Sequence, residues 1–102
     1  MSLEQAFSSL IRRMIEEEFK PEEVKVEVHY TPLGGSYYIE MRLKEKPEEV
    51  EYRLTEIVNE VELSFYSPTS FQIEKEGEEY VIRASFVSVQ SPLSLTSETF
   101  TA

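Results

Sequence analysis

The feature that most constrains this chain is a change of hydrophobic period that happens twice. In residues 18–27 (EFKPEEVKVE) an apolar helical pattern runs to Phe19, Pro21 follows two residues later, and strict alternation of apolar and polar residues begins. Forty-seven positions on, residues 65–74 (FYSPTSFQIE) repeat the design with Tyr66 and Pro68. A period of 3.6 gathers apolar side chains on one side of a helix, and a period of two gathers them on one face of a strand. Proline disfavours helical geometry in the residue before it. Each stretch therefore reads as helix, stop, strand.

Ahead of the first stop, Ser2 and Gln5 have the spacing of a capping box, so a helix is predicted to begin there. Leu3, Phe7, Leu10, Ile11 and Met14, widened by Ile15 and Phe19, form its buried stripe. After Pro21, Val24, Val26, Val28 and Tyr30 point one way, and Lys25, Glu27 and His29 the other. TPLGGS at 31–36 supplies a turn, and Tyr37, Ile39, Met41 and Leu43 resume the alternation, which predicts a β-hairpin. Pro47, Glu48 and Glu49 suit a first helical turn. From there Val50, Leu54, Ile57, Val58, Val61 and Phe65 make a second stripe. Leu63 and Phe65 also fit a short strand, but the repeat favours continuing the helix to Phe65. Residues 67–70 are then a linker, Phe71 and Ile73 head a strand, KEGE at 75–78 turns, and Tyr80, Ile82, Ala84 and Phe86 line the last strand's core face.

Shifted by 47, positions 3, 7, 10, 11, 14, 19, 24 and 26 land on 50, 54, 57, 58, 61, 66, 71 and 73, all apolar in both copies. After the first strand the offset falls to 43, read as a hairpin loop four residues shorter in the second copy. The expected fold is α+β: one domain over 1–102, built from tandem helix-strand-strand repeats at 2–44 and 47–89 (αββαββ). They form a four-stranded, mostly antiparallel sheet with two helices on one face and a pseudo-twofold axis. The groove between the repeats is the expected ligand site.

Composition narrows the function classes. With no cysteine there is no disulfide framework, thiolate metal site or thiol nucleophile. A formal net charge of −10 disfavours direct contact with nucleic acid, which needs clustered Lys and Arg. No stretch approaches the roughly 20 apolar residues of a membrane span, so a soluble, intracellular protein is expected. His29 is the single histidine, and without Asp there is no Ser-His-Asp arrangement. Gly34 and Gly35 lack the spacing and lysine of a phosphate loop and read as turn glycines. Glu clusters at 16–18, 22–23, 48–49 and 78–79 are solvated surface on the simplest reading. A small Glu-dependent enzyme, a hydrolase for instance, is the alternative. No catalytic, cofactor-binding or metal-binding residue is assigned.

Candidate contacts lie elsewhere. Tyr52 and Leu63, eleven residues apart, share a side of the second helix away from its buried stripe; they either pack against the first helix or the tail, or form a partner surface or a homodimer. On the open sheet face Tyr38, Val81, Val87 and Val89 would form an apolar patch interrupted by Glu40, Arg42 and Arg83. The expected partner-binding residues are thus Tyr38, Tyr52, Leu63 and Val81. Residues 90–102 (QSPLSLTSETFTA) read by composition as a disordered tail. Leu93, Leu95 and Phe100 are available to anchor it as an extended segment along an edge strand or groove of this chain or a neighbour.

The short length, the absence of Cys and Asp, the Glu-rich helices and the many tyrosines resemble small orphan proteins of filamentous viruses that infect hyperthermophilic archaea, of the Acidianus filamentous virus type. The resemblance implies a virus-specific protein acting through protein contacts in the host cytoplasm, and it transfers no functional residue. The expected function is a non-enzymatic interaction protein. It takes an extended peptide or partner segment in the groove between the repeats or at a sheet edge. The alternative from charge is an acidic mimic of nucleic acid acting on a host DNA-binding protein.

Overall fold

The computed structural model describes residues 2–88. Helix α1 (Leu3–Phe19) leads into strands β1 (Glu23–Thr31) and β2 (Gly34–Leu43), then helix α2 (Val50–Glu62), then β3 (Tyr66–Glu76) and β4 (Glu79–Ser88). The four strands form one antiparallel sheet in the order β1-β2-β4-β3, so β1 and β3 are its edges.

The start of α1 follows from its sequence. Ser2 Oγ accepts from the Gln5 backbone N–H at 3.1 Å while Gln5 Oε1 accepts from the Ser2 N–H at 3.1 Å, completing the box. On the sheet, alternation and register place four-residue rows across the strands: Val24, Met41, Ile82 and Ile73 in one, Val26, Ile39, Ala84 and Phe71 in the next. Ile11 and Ile15 of α1 and Val50, Leu54, Ile57 and Val58 of α2 pack into one core with this face. Truncating a fully buried member such as Ile39 to alanine costs about 2–5 kcal/mol.

The second helix departs from expectation at both ends. It begins at Val50 instead of Pro47, after Glu49 in a left-handed conformation with no side-chain cap. It ends at Glu62, where Leu63 turns left-handed (φ 52°) and its N–H bonds to the Asn59 carbonyl. Phe65 is therefore off the helix and 71% exposed, while Tyr66 takes the core position at 6%. Residues 67–70 are not a linker. Ser67 and Pro68 pair with Val87 and Phe86, and the extra residue, Thr69, interrupts the register before Ser70 meets Ser85. An edge strand tolerates such a proline and irregularity because one side of its backbone has no ladder to break.

Both hairpin loops contain two residues, Pro32-Leu33 and Gly77-Glu78. The expected shorter second loop is thus not observed. From Val24 the first hairpin runs on to a turn at Pro32, and from Phe71 the second turns sooner, at Gly77, so the missing residues come out of the two arms. Val89 and the tail at 90–102, with its anchors Leu93, Leu95 and Phe100, lie outside the described residues. Among the described residues no helix is long and apolar enough to cross a membrane.

Candidate functional site: two sheet edges and a tyrosine cluster

The hydrogen-bonding direction of every strand follows from the β3–β4 turn. A two-residue hairpin closes on a pair that exchanges both backbone bonds, here Glu76 and Glu79, and bonded and outward-facing residues then alternate. Gln72, Glu74 and Glu76 bond to β4, so the N–H and C=O groups of Phe71, Ile73 and Lys75 face outward. Carried across the sheet by the register, the same alternation makes Val24, Val26, Val28 and Tyr30 the outward-facing residues of β1.

On β1, helix α1 occupies that edge. Arg12 Nη2 donates to the Val24 carbonyl at 3.1 Å, Ser8 Oγ donates to the Val26 carbonyl at 2.9 Å, and the Tyr30 N–H donates to Glu4 Oε2 at 2.8 Å. On β3 the one such contact is at the very start, where the Tyr66 N–H donates to Asn59 Oδ1 at 2.6 Å. Among the described residues, nothing hydrogen-bonds the outward backbone groups of Phe71, Ile73 or Lys75.

Asn59 ties the end of α2 to the start of β3. Tyr52 and Leu63, seven residues before and four after, lie close to Asn59 on the helical wheel, and they are 62% and 89% exposed. Exposed Phe65 precedes β3 directly. Leu63 is destabilising twice over: left-handed geometry costs a residue with a Cβ roughly 1–2 kcal/mol, and its apolar side chain gains nothing from burial.

The open face differs from the expected apolar patch. Val81 is fully buried (0% exposed), lying in the register between Arg42 and Glu74, where long charged side chains spread their stems over apolar surface. Arg42 pairs with Glu23, Glu76 and Glu79, and Arg83 with Glu40, Glu74 and Glu76. The Tyr38 hydroxyl donates to Glu40 Oε1 at 2.8 Å. That bond holds the Glu40 carboxyl below the usual range, while burial followed by the same bond raises the Tyr38 phenol. Of the four expected contacts, Tyr52 and Leu63 share the exposed side of α2, opposite its buried residues Val50, Leu54, Ile57 and Val58. Tyr38 and Val81 lie on the opposite face of the sheet, and Val81 is inaccessible there.

One constellation was not anticipated. The hydroxyls of Tyr30 and Tyr37 both donate to Glu62 Oε2, and the Tyr66 phenol lies close enough to feel this carboxylate. Burial first, and the Glu62 carboxylate next, push all three phenols upward, Tyr66 to about 12. Gly35 makes room for them: a Cβ there would sit 2.4 Å from the Tyr66 hydroxyl oxygen and 2.9 Å from the Tyr30 ring. A cavity of about 290 Å³ opens beside the cluster, lined by Tyr30, Gly35, Glu62, Leu63 and Tyr66 among others. The available sequence signal was that Tyr30, Tyr37 and Tyr66 all fall on core-facing positions, and a buried phenol needs a partner for its hydroxyl.

At the junction expected to hold a groove, the ends of α1, β2 and α2 enclose a cavity of about 390 Å³ lined by Glu18, Phe19, Lys46 and Arg53, among others. Arg53 is engaged there, bonded to Glu18 at 2.7 Å with its guanidinium over the Phe19 ring at 4.3 Å. Comparison of the chain with protein-family models, with curated proteins and with solved structures returns no match.

Proposed function

We propose that this chain is a non-enzymatic interaction protein that takes an extended segment of a protein partner onto the outer edge of β3. The observation that carries this reading is that no described residue bonds the outward backbone groups of Phe71, Ile73 and Lys75, whereas α1 occupies the opposite edge at β1. Strand addition would satisfy those groups, and exposed Leu63 and Phe65, just before β3, would supply apolar contact. Leu63 supports it further, because a strained, exposed apolar residue has its stability cost explained by a partner.

We also read the two helix-strand-strand units as repeats about a pseudo-twofold axis between β2 and β4. Under the offset of 43, Glu40 corresponds to Arg83, and these two are cross-strand partners, as expected of residues on such an axis. The acidic-mimic reading has less support, because on the open face the glutamates surround Arg42 and Arg83 instead of forming phosphate-like rows.

A peptide array of alternating apolar and polar segments tests the proposal, with Lys75→Pro as control. The proline removes an outward N–H without removing a ladder bond. The expected result is micromolar binding to a subset of peptides that is lost in the variant. Binding that survives Lys75→Pro, or no binding at all, would count against it.

A further inference from the structure

We propose that the cavity at Glu62 is a binding site for a small organic cation, an alkylammonium or guanidinium head group that donates hydrogen bonds. Glu62 is the last residue of α2, where the helix dipole is already negative, and the last turn carries no basic residue. Among the described residues no Lys, Arg or His forms an ion pair with it. The partly buried Glu40 and Glu79 pair with Arg83 and Arg42, whereas Glu62, like Glu4, has no cationic partner among the described residues.

The chemistry of the lining fits a cation. A carboxylate offers about four lone-pair sites, and three phenols occupy at most three of them. Each phenolic oxygen that donates to Glu62 still has lone pairs to accept from an N–H. An ammonium brings three donors and a guanidinium five, both matched by a carboxylate ringed with phenolic oxygens. The aromatic rings of Tyr30 and Tyr66 add attraction for a cation held over or beside them. A volume of about 290 Å³ admits such a head with a short stem. Burial is the larger cause of the upward shift of all three phenols, and the Glu62 carboxylate adds to it, so further negative charge is disfavoured there.

This site does not depend on the β3 edge, so Lys75→Pro should leave it intact. The test titrates the 102-residue chain with butylammonium, methylguanidinium, tetramethylammonium and the neutral isostere butanol. Amide chemical shifts and tyrosine difference absorbance are followed. The expected result is saturable binding of butylammonium or methylguanidinium, with shifts centred on Tyr30, Gly35, Leu63 and Tyr66. Affinity should fall at least about tenfold for butanol and for the Glu62→Gln variant. Stronger binding of methylguanidinium marks an arginine-like ligand, and stronger binding of butylammonium a lysine-like or free amine. Tetramethylammonium, which has no N–H, should bind more weakly than either. Three results would overturn the proposal: non-saturating shifts spread over the acidic surface, butanol matching the cations, or full affinity in a folded Glu62→Gln. If that variant does not fold, the shift map and the butanol comparison on the natural chain still decide the question.

Discussion

The two edges of this sheet meet the same physical problem with opposite outcomes. An edge strand exposes a row of backbone donors and acceptors that can template pairing with another chain. At β1 the side chains of Glu4, Ser8 and Arg12 reach across from α1 and take up three of those groups. At β3 the neighbouring helix reaches only Tyr66, and among the described residues nothing bonds the outward groups from Phe71 to Lys75. The difference lies in a few polar side chains on helices with similar apolar stripes. It shows how two similar helix-plus-hairpin units can differ in how their outer strands are covered.

The largest effect that would break this contrast comes from moving a proline by one residue. Glu74→Pro removes a bond to β4 and should destabilise the fold on the order of 3 kcal/mol. Lys75→Pro, on the outward side, should change stability by less than about 1 kcal/mol while abolishing strand addition. Equal melting temperatures for the two variants would mean that the outward assignment is wrong.

Removing an occupant from the other edge should be the next largest effect. Glu4→Ala deletes a carboxylate that accepts from the Tyr30 N–H at 2.8 Å, a charged hydrogen bond at a part-buried site. Urea unfolding should show a loss of about 1.5–3 kcal/mol, and light scattering should show new self-association through β1. An unchanged midpoint and a monodisperse solution would show that α1 does not guard that edge.

Leu63→Gly sharpens the comparison from the side of α2. Glycine adopts the left-handed cap freely, so the variant should gain about 1 kcal/mol in thermal or urea unfolding while binding partner segments more weakly. A variant that is more stable and binds equally well would remove Leu63 from the interface.

The smallest effect concerns alkaline pH, near the end of the sheet where Tyr30 of β1 and Tyr66 of β3 converge on Glu62. Their folded-state values lie above the ordinary tyrosine value of 10.0, so above pH 10 the native state holds protons that the unfolded chain releases. The stability this contributes is fully present below pH 10 and is lost as pH rises through about 12, the value for Tyr66. The phenolate absorbance of Tyr30, Tyr37 and Tyr66 should therefore rise late and together with unfolding. Early titration of all six tyrosines near 10.0 would contradict the cluster.

Much of the architecture was legible because local rules and tertiary packing agree in it. The capping box at Ser2, the stop near Phe19, the helical stripes and both hairpins follow from periodicity and turn chemistry. The junction at 62–66 was misread for a physical reason. Val61 and Phe65 extend a helical stripe, yet the chain leaves the helix at Leu63, which turns left-handed, while Glu62 is held by Tyr30 and Tyr37, residues far away in sequence. Tyr66 then takes the core position that periodicity had assigned to Phe65. Val81 was placed on the correct face, but alternation says nothing about whether neighbouring arginine and glutamate stems close over a valine. The asymmetry of the edges was also out of reach, since it depends on whether Glu4, Ser8 and Arg12 actually meet backbone groups of β1.

Native-state amide hydrogen exchange on the isolated chain tests the open edge most directly. The amides of Phe71, Ile73 and Lys75 should exchange at rates close to those of exposed peptides. Gln72 and Glu74 between them should be protected by β4, and Tyr30 by Glu4. Protection of Ile73 equal to that of Gln72 and Glu74 would contradict an open β3 edge and the strand-addition function built on it.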